Sequence, residues 1–208
     1  MTNTSFSDAA AMWNQRYEGE ALLFGEAPNE YLLSQAARLP HGGRALCVAD
    51  GEGRNSVWLA GRGLRVDAFD IAEVGVAKAR RLAAAQGVEV NFAVADCDGF
   101  AWPEAAYDGV AAIFVQFADP ALRARLFGHI RRCLKPGGTL VLQGYTPRQL
   151  EYKTGGPPHV EHLYTEPMLR SAFAALHIEE LAEYEDILTE GSGHRGRSAL
   201  IGLVARRP

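Results

Sequence analysis

The sequence predicts an α/β protein, a single domain in which a largely parallel sheet carries helices on both faces. Three observations lead there. From Gly43 to Gly144, short β-rich runs alternate with helical ones, the signature of repeated strand–helix–strand units with right-handed crossovers. The run from Gly109 to Val115 is continuously apolar, as a strand covered on both faces should be. A glycine-bearing turn follows the first strand and opens a helix.

Taken in order, Arg44 to Ala49 reads as a buried strand and Asn55 to Gly61 as the helix after its turn. Leu64 to Phe69 is the second strand, and Ala72 to Gln86 an alanine-rich helix. Val88 to Val94 alternates in and out as a third strand, and Gly109 to Val115 is the fourth. Pro120 to Leu134 reads as a helix with its proline in the first turn, where the missing N–H costs nothing. Lys135-Pro-Gly-Gly138 reads as a tight turn delivering the strand Thr139 to Gln143. Pro147 to His162 reads as an irregular loop and Pro167 to Leu176 as a helix. Ile178 to Leu188 and Ser198 to Ala205 read as two strands joined through Glu190-Gly-Ser-Gly193, a hairpin signal. The first forty residues read as helix and loop, with no composition break that would mark a second domain.

Composition narrows the classes of function. The chain has 208 residues, 48% hydrophobic and 22% charged, with a formal net charge of −4, and its basic residues form no long patch. Nucleic-acid binders present a basic face, so no nucleic-acid partner is expected. Three cysteines (Cys47, Cys97 and Cys133) without a C-x-x-C spacing give neither a disulfide framework nor a zinc site, and no metal is expected. Met1 to Ala11 lacks a basic region followed by an apolar run, and no stretch reaches the length of a membrane span. The expectation is a cytoplasmic protein, a monomer or homodimer acting on a small molecule.

The segment with most chemical content is Leu46-Cys-Val-Ala-Asp-Gly-Glu-Gly-Arg-Asn55. Gly51 and Gly53 allow a sharp turn and let a ligand lie against bare backbone, while the helix start offers free N–H groups and a positive dipole end. Asp70 ends the second strand, where doubly wound folds place a carboxylate against ribose hydroxyls; the plainer reading is a cap for the helix near Ala72. Asp96 ends the third strand in Ala95-Asp-Cys-Asp98, where an acid accepts from an adenine amino group; the plainer reading is an Asx-turn. Each feature alone favours the plain reading, and the ordered set favours a nucleotide-type ligand. An NAD-dependent enzyme is the nearest alternative, but its third glycine would fall on Ser56.

Trp13-Asn-Gln-Arg-Tyr17, Phe24-Gly-Glu-Ala-Pro-Asn29, Gly51-Glu-Gly-Arg-Asn55, the Lys135-Pro-Gly-Gly138 turn and Tyr152-Lys-Thr-Gly-Gly-Pro157 together give a resemblance that covers nearly the whole chain. The chain resembles the class I S-adenosylmethionine-dependent methyltransferases, and within them the tellurite-resistance and thiol/thiopurine methyltransferase group. The resemblance implies a Rossmann-like, seven-stranded sheet of order 3-2-1-4-5-7-6 with strand 7 antiparallel. It implies one domain over 1–208, with 1–40 a helical lid over the cofactor and 43–208 the sheet core. The cofactor would be S-adenosyl-L-methionine, with S-adenosyl-L-homocysteine as product. Ala49 to Gly53, with Asp50, would lie along its methionine part; Asp70 and Ile71 would hold and flank ribose and adenine; Asp96 and Cys97 would meet the adenine edge; Phe114 to Phe117 would line the face where the methyl group leaves. Two departures stand out. The family's usual acid near the end of strand one falls on Cys47 and its first glycine on Ala49, so Asp50 is expected to take over the ammonium group.

Methyl transfer from a sulfonium is an in-line displacement in which the protein aligns the acceptor and excludes water. A thiol, selenium or tellurium acceptor needs little base; an oxygen or nitrogen acceptor often does. His159, His162, His194, Tyr145 and Tyr152 are candidates, each of which is more often a surface or packing residue. His194 with Arg195, beside the hairpin tip, is the catalytic pair the sequence favours. The N-terminal aromatics Trp13, Tyr17, Phe24 and Tyr31 also read as core, and at helical spacing that is the favoured reading for Trp13 and Tyr17. A module that binds the cofactor without catalysis is the alternative.

Overall fold

A computed structural model describes residues 6–208. Of the Met1 to Ala11 stretch and the 1–40 segment discussed above, Met1 to Ser5 lie outside the described residues. The strands are β1 (Arg44–Val48), β2 (Arg65–Asp70), β3 (Val90–Val94), β4 (Tyr107–Ile113), β5 (Leu134–Tyr145), β6 (His177–Glu190) and β7 (His194–Arg206). They form one sheet of order β3-β2-β1-β4-β5-β7-β6. β1 to β5 pair in parallel, and β7 runs antiparallel to both β5 and β6. This is the order and the single reversal that the resemblance implies.

The helices are α1 (Phe6–Arg16), α2 (Glu30–Ser34), α3 (Arg54–Gly61), α4 (Glu73–Ala85), α5 (Pro120–Cys133), α6 (Gln149–Tyr152) and α7 (Glu166–Ala172). Side chains alternate across a strand, and the apolar runs of the central strands therefore feed two cores. Leu46, Val48, Val110, Leu140 and Leu142 meet Leu126, Phe127 and Ile130 of α5 and Leu169 of α7 on one face. Ala45, Cys47, Ala111 and Val141 meet Leu32 of α2 and Leu59 of α3 on the other. Asp119 starts α5 by accepting the Leu122 N–H at 2.8 Å, with Pro120 as the first helical residue.

Several boundaries differ from the sequence reading: β4 starts and ends two residues before Gly109 to Val115, the Pro147 to His162 loop holds the short helix α6, and the helix read over Pro167 to Leu176 closes at Ala172. Lys135-Pro-Gly-Gly138 lies inside β5: the register slips between the Tyr107–Leu134 and Gly109–Thr139 pairs, and the four residues bulge outward between them. Gly137 takes a φ of +78°, and its N–H is held by the Arg207 carbonyl at 2.8 Å. Glycine at that position supplies the left-handed backbone a bulge requires. The hairpin strands are also longer than read, pairing from His177–Arg206 to Glu190–His194, because polar residues there face the surface or a buried polar cluster instead of alternating cleanly. Among the described residues no helix is long and apolar enough to cross a membrane.

Candidate functional site

The C-terminal ends of β1, β2, β3 and β4 open onto a cleft of about 810 Å³. In open α/β sheets this is where ligands bind, beside the strand from which the winding proceeds in both directions. Ala49, Asp50, Gly51, Asp70, Ile71, Asp96, Cys97, Phe114 and His194 all line it. Two strand ends there hold backbone that side chains rarely adopt: Ala49 has a φ of +48° and Phe114 a φ of +54°. Such conformations cluster at ligand sites. Ala49 thus keeps the left-handed turn that a glycine would take at no steric cost.

Gly51 and Gly53 act differently. A Cβ on Gly51 would come within 2.6 Å of the Tyr17 hydroxyl, whereas a Cβ on Gly53 would come within 2.6 Å of the Ala79 Cβ. Gly51 therefore admits the N-terminal segment against the turn, and Gly53 lets α3 pack on α4. Gly53 is absent from the cleft lining.

Asp50 is the least satisfied group in the site. Neither carboxylate oxygen has a hydrogen-bond partner or meaningful exposure. Burial is the main force pushing its pKa up to about 7, opposed by the nearby Ser56 hydroxyl and N–H, which do not reach hydrogen-bond geometry, and reinforced by the Asp70 charge. Burial and the adjacent Asp50 also push the Cys47 thiol up, so where the resemblance expects an acid there is an un-ionised thiol beside the aspartate. Asp70 is 6% exposed and accepts the Gly51 and Ala72 N–H groups, each at 2.9 Å. Burial raises its pKa against those bonds. It thus fastens the glycine turn and starts α4, and each oxygen keeps a further lone pair for a ligand. Asp96 accepts the Gly99 N–H at 2.5 Å, the Asx-turn of the plainer reading, with its second oxygen uncommitted.

His194 and Arg195 separate. His194 lies against Phe24 and Phe114, with ring centroids 4.5 and 4.2 Å away. Burial lowers its pKa and keeps the imidazole neutral. Arg195 is exposed and does not line the cleft. Successive strand residues point to opposite faces, so adjacency in sequence set the two apart. The basic group beside His194 is Arg54, from the helix that follows the glycine turn. Its guanidinium pairs with Glu190 at 2.6 Å, both side chains being under 10% exposed. Glu190 also accepts from Asn29 Nδ2 at 2.9 Å and the Glu30 N–H at 3.2 Å, and sits 3.6 Å from His194 Nδ1. Burial works to raise its pKa, but His194 and Arg54 hold it down to about 2.

Sequence reasoning missed this cluster and also the tie at the other edge of the N-terminal segment. There Glu52 and Lys78 form a buried pair at 2.7 Å; Glu52 accepts the Leu23 N–H and Lys78 donates to the Ala21 carbonyl. The Leu23 carbonyl in turn accepts the Ser192 and Gly193 N–H groups at 2.9 Å. Residues 21–25 are thereby fixed between the glycine turn and the hairpin tip. Trp13, Tyr17 and Phe24 line the cleft from that side, stacked or edge-on in sequence. Tyr31 packs elsewhere, against Tyr184. Of the remaining candidates, His162 lines the cleft, while Tyr145, Tyr152 and His159 do not.

Residues 45–138 match the family model described as a methyltransferase domain. The chain is 37% identical over 106 residues to the demethylmenaquinone methyltransferase of Thermus thermophilus, a match that takes in 50% of this chain and 48% of that protein. The chain therefore spans about half the length of the curated relative it matches. Solved structures agree over almost the full length. A structure concerned with converting a disulfide bond into a thioacetal group in echinomycin biosynthesis superposes with a TM-score of 0.75 at 21% identity, covering 95% of this chain and 91% of that one. TehB of Haemophilus influenzae gives 0.70 at 16% identity, covering 96% and 67%. The 1,6-didemethyltoxoflavin-N1-methyltransferase of Burkholderia thailandensis, solved with its substrate and S-adenosylhomocysteine, gives 0.68 at 19% identity, covering 97% and 86%. At these identities the structures establish the fold, a Rossmann-like methyltransferase sheet.

Proposed function

We propose that this chain is an S-adenosyl-L-methionine-dependent methyltransferase that acts on a small, uncharged acceptor. The observation that carries the reading is Asp50, a buried carboxylate without a partner on the wall of the cleft beside the glycine turn. A buried charge left unpaired is expensive, and a cationic amino group of a ligand would satisfy it. The match of residues 45–138 to a methyltransferase domain supports the choice of ligand.

The residues fit that cofactor along its length. Asp50 would hold the ammonium group, the spare lone pairs of Asp70 the ribose hydroxyls, and the free oxygen of Asp96 with Ile71 and Cys97 the adenine. When bound, the cofactor supplies a methyl group made electrophilic by its sulfonium. The protein's own part is to orient and to exclude water. Phe114, Phe117 and Trp13 give the cleft apolar walls, and His194 lies where the Phe24 and Phe114 rings meet. Residues 6–40 act as the lid, with Tyr17 and Phe24 its inner surface. Arg195 has no part in this scheme; Arg54 and Glu190 take its place by fixing the position of His194.

The cleft also bears on the acceptor. Asp50, Asp70, Asp96, Asp98 and Asp119 line it, whereas among the described residues Arg54 and Arg125 are its only lining cations apart from histidine, and both are already paired with carboxylates. Such a wall repels an oxyanion such as tellurite, so thiol or selenium compounds would enter in neutral form. Demethylmenaquinone is the acceptor named for the Thermus relative, and a neutral quinol of that kind fits the charge argument without being singled out by it. An NAD-dependent enzyme is disfavoured by the sheet, because β7 runs antiparallel where a dinucleotide fold continues in parallel.

Titration calorimetry with S-adenosylmethionine and S-adenosylhomocysteine tests the reading. Binding of both, lost or strongly weakened in Asp50→Asn, is the expected result. Absence of heat with either compound overturns it. Release of S-adenosylhomocysteine with an acceptor panel then separates an enzyme from a module that only binds.

A further inference from the structure

From the hydrogen bonding of His162 we infer that this residue is the general base of the site and that the acceptor is a neutral aromatic or heteroaromatic compound bearing an O–H or N–H. The inference rests on the methyltransferase reading above and deepens it.

His162 ends a short helical turn from Val160 to His162, after the irregular loop. Its Nδ1 lies 2.9 Å from the backbone carbonyl of Gln116. A carbonyl oxygen only accepts, so a proton sits on Nδ1, and of the two neutral tautomers this contact selects the one with its lone pair on Nε2. His162 lines the cleft, and among the described residues its Nε2 has no hydrogen-bond partner. An imidazole whose neutral tautomer is selected from behind, with its other nitrogen uncommitted, is the arrangement a general base needs.

The backbone around it is held as firmly. The Gln116 side chain, 2% exposed, donates to the His162 carbonyl at 3.1 Å and to the Tyr145 carbonyl at 2.9 Å, and accepts the Tyr145 N–H at 2.6 Å. Arg123 of α5 donates to the Glu161 carbonyl at 2.6 Å. The end of β4, the start of β5's exit and α5 thus all fix the ring. His194 differs: its Nδ1 has no hydrogen-bond partner, and its ring is wedged among aromatic side chains.

The acceptor class follows from the same wall. Phe114, Phe117 and Trp13 offer flat apolar surfaces to a ring, and the excess of carboxylates turns away an anion. A soft thiolate needs no base, so a positioned imidazole points to an acceptor that must lose a proton. In the step, the acceptor's O–H or N–H proton moves to His162 Nε2, the acceptor's electron pair forms the new bond to carbon, and the pair of the breaking S–CH3 bond stays on sulfur.

The test uses the full chain and His162→Gln. Long-range ¹H–¹⁵N spectra of the ligand-free protein should show His162 protonated on Nδ1 and bare on Nε2; the opposite tautomer overturns the inference. S-adenosylmethionine should bind wild type and variant within about twofold. With a series of substituted phenols and N–H heteroaromatics of graded acidity, His162→Gln should lower kcat by about 100-fold or more for acceptors that are un-ionised at the assay pH, and progressively less as they become acidic. Equal kcat in both proteins, or turnover of thiols alone, overturns it. If the cofactor binds and no member of the series is methylated, the inference fails while the methyltransferase reading stands. If the cofactor does not bind, both fail.

Discussion

Asp50 on the cleft wall and Glu190 behind Arg54 and His194 are both carboxylates withdrawn from water, yet the first lacks any hydrogen-bond partner and the second accepts from Arg54, Asn29 and the Glu30 backbone. Their titration diverges accordingly, Asp50 being pushed up to about 7 by burial and Glu190 held down to about 2 by its cationic and hydrogen-bonding neighbours. The difference separates two uses of a buried charge. Glu190 is scaffold: it joins α2, α3 and the hairpin tip. Asp50 is left open, and the fold carries its cost until a ligand supplies the cation.

Removing each carboxylate should therefore act in opposite directions. Glu190→Ala leaves the Arg54 guanidinium buried without its partner and should lower stability by about 3–5 kcal/mol, read from the midpoint of chemical denaturation. Asp50→Asn should stabilise the ligand-free protein at pH 8, by about 1 kcal/mol or more, while weakening S-adenosylmethionine binding by roughly 50-fold, the value of about 2–3 kcal/mol for a lost hydrogen bond to a charge. A loss of stability in Asp50→Asn would end the distinction between the two groups.

The pH response sharpens it further. Asp50 has a folded pKa above the ordinary carboxylate value, so its cost is absent below about pH 4 and grows as pH rises through about 7. Glu190 has a folded pKa below the ordinary value; its contribution is present above about pH 4.3 and is lost as pH falls through about 2. Only the ionised Asp50 holds a cation, so calorimetry between pH 5 and 7 should show affinity rising by up to about tenfold per unit, with the rise absent in Asp50→Asn. The smallest effect belongs to the turn itself. Ala49→Gly relieves a φ of +48°, partly offset by the greater freedom of glycine in the unfolded chain, and should raise stability by up to about 1 kcal/mol in a thermal melt.

The parts of this molecule that were legible in sequence are those set by local rules. Strand periodicity, the apolar fourth strand and the glycine turn gave the sheet and the position of the cleft, and the acids at residues 50, 70 and 96 fell on its wall. The hairpin signal at Glu190-Gly-Ser-Gly193 encoded the reversal of β7 against β6, and resemblance added its place beside β5 in the sheet. The opposite wall was hidden because its contacts join residues far apart: Arg54 reaches Glu190 across 136 positions, and Asn29 reaches Glu190 across 161. Arg195 was paired with His194 on adjacency, which in a strand is the spacing that sends two side chains apart. Nothing in the composition of the loop before His162 signals that a carbonyl 46 residues earlier fixes its tautomer.

The two backbone bonds from Ser192 and Gly193 to the Leu23 carbonyl also bear on when the cleft comes into existence. Its outer wall joins residues that leave the ribosome about 170 positions apart, and at ordinary synthesis rates of about 5–20 residues per second that interval is roughly 10–30 s. The glycine turn and the first parallel strands are made early, but the pocket has no far side until the terminal hairpin is complete. Small-molecule capture therefore waits until the β6–β7 hairpin has been synthesised, and added ligand cannot assist a growing chain that has not yet reached it.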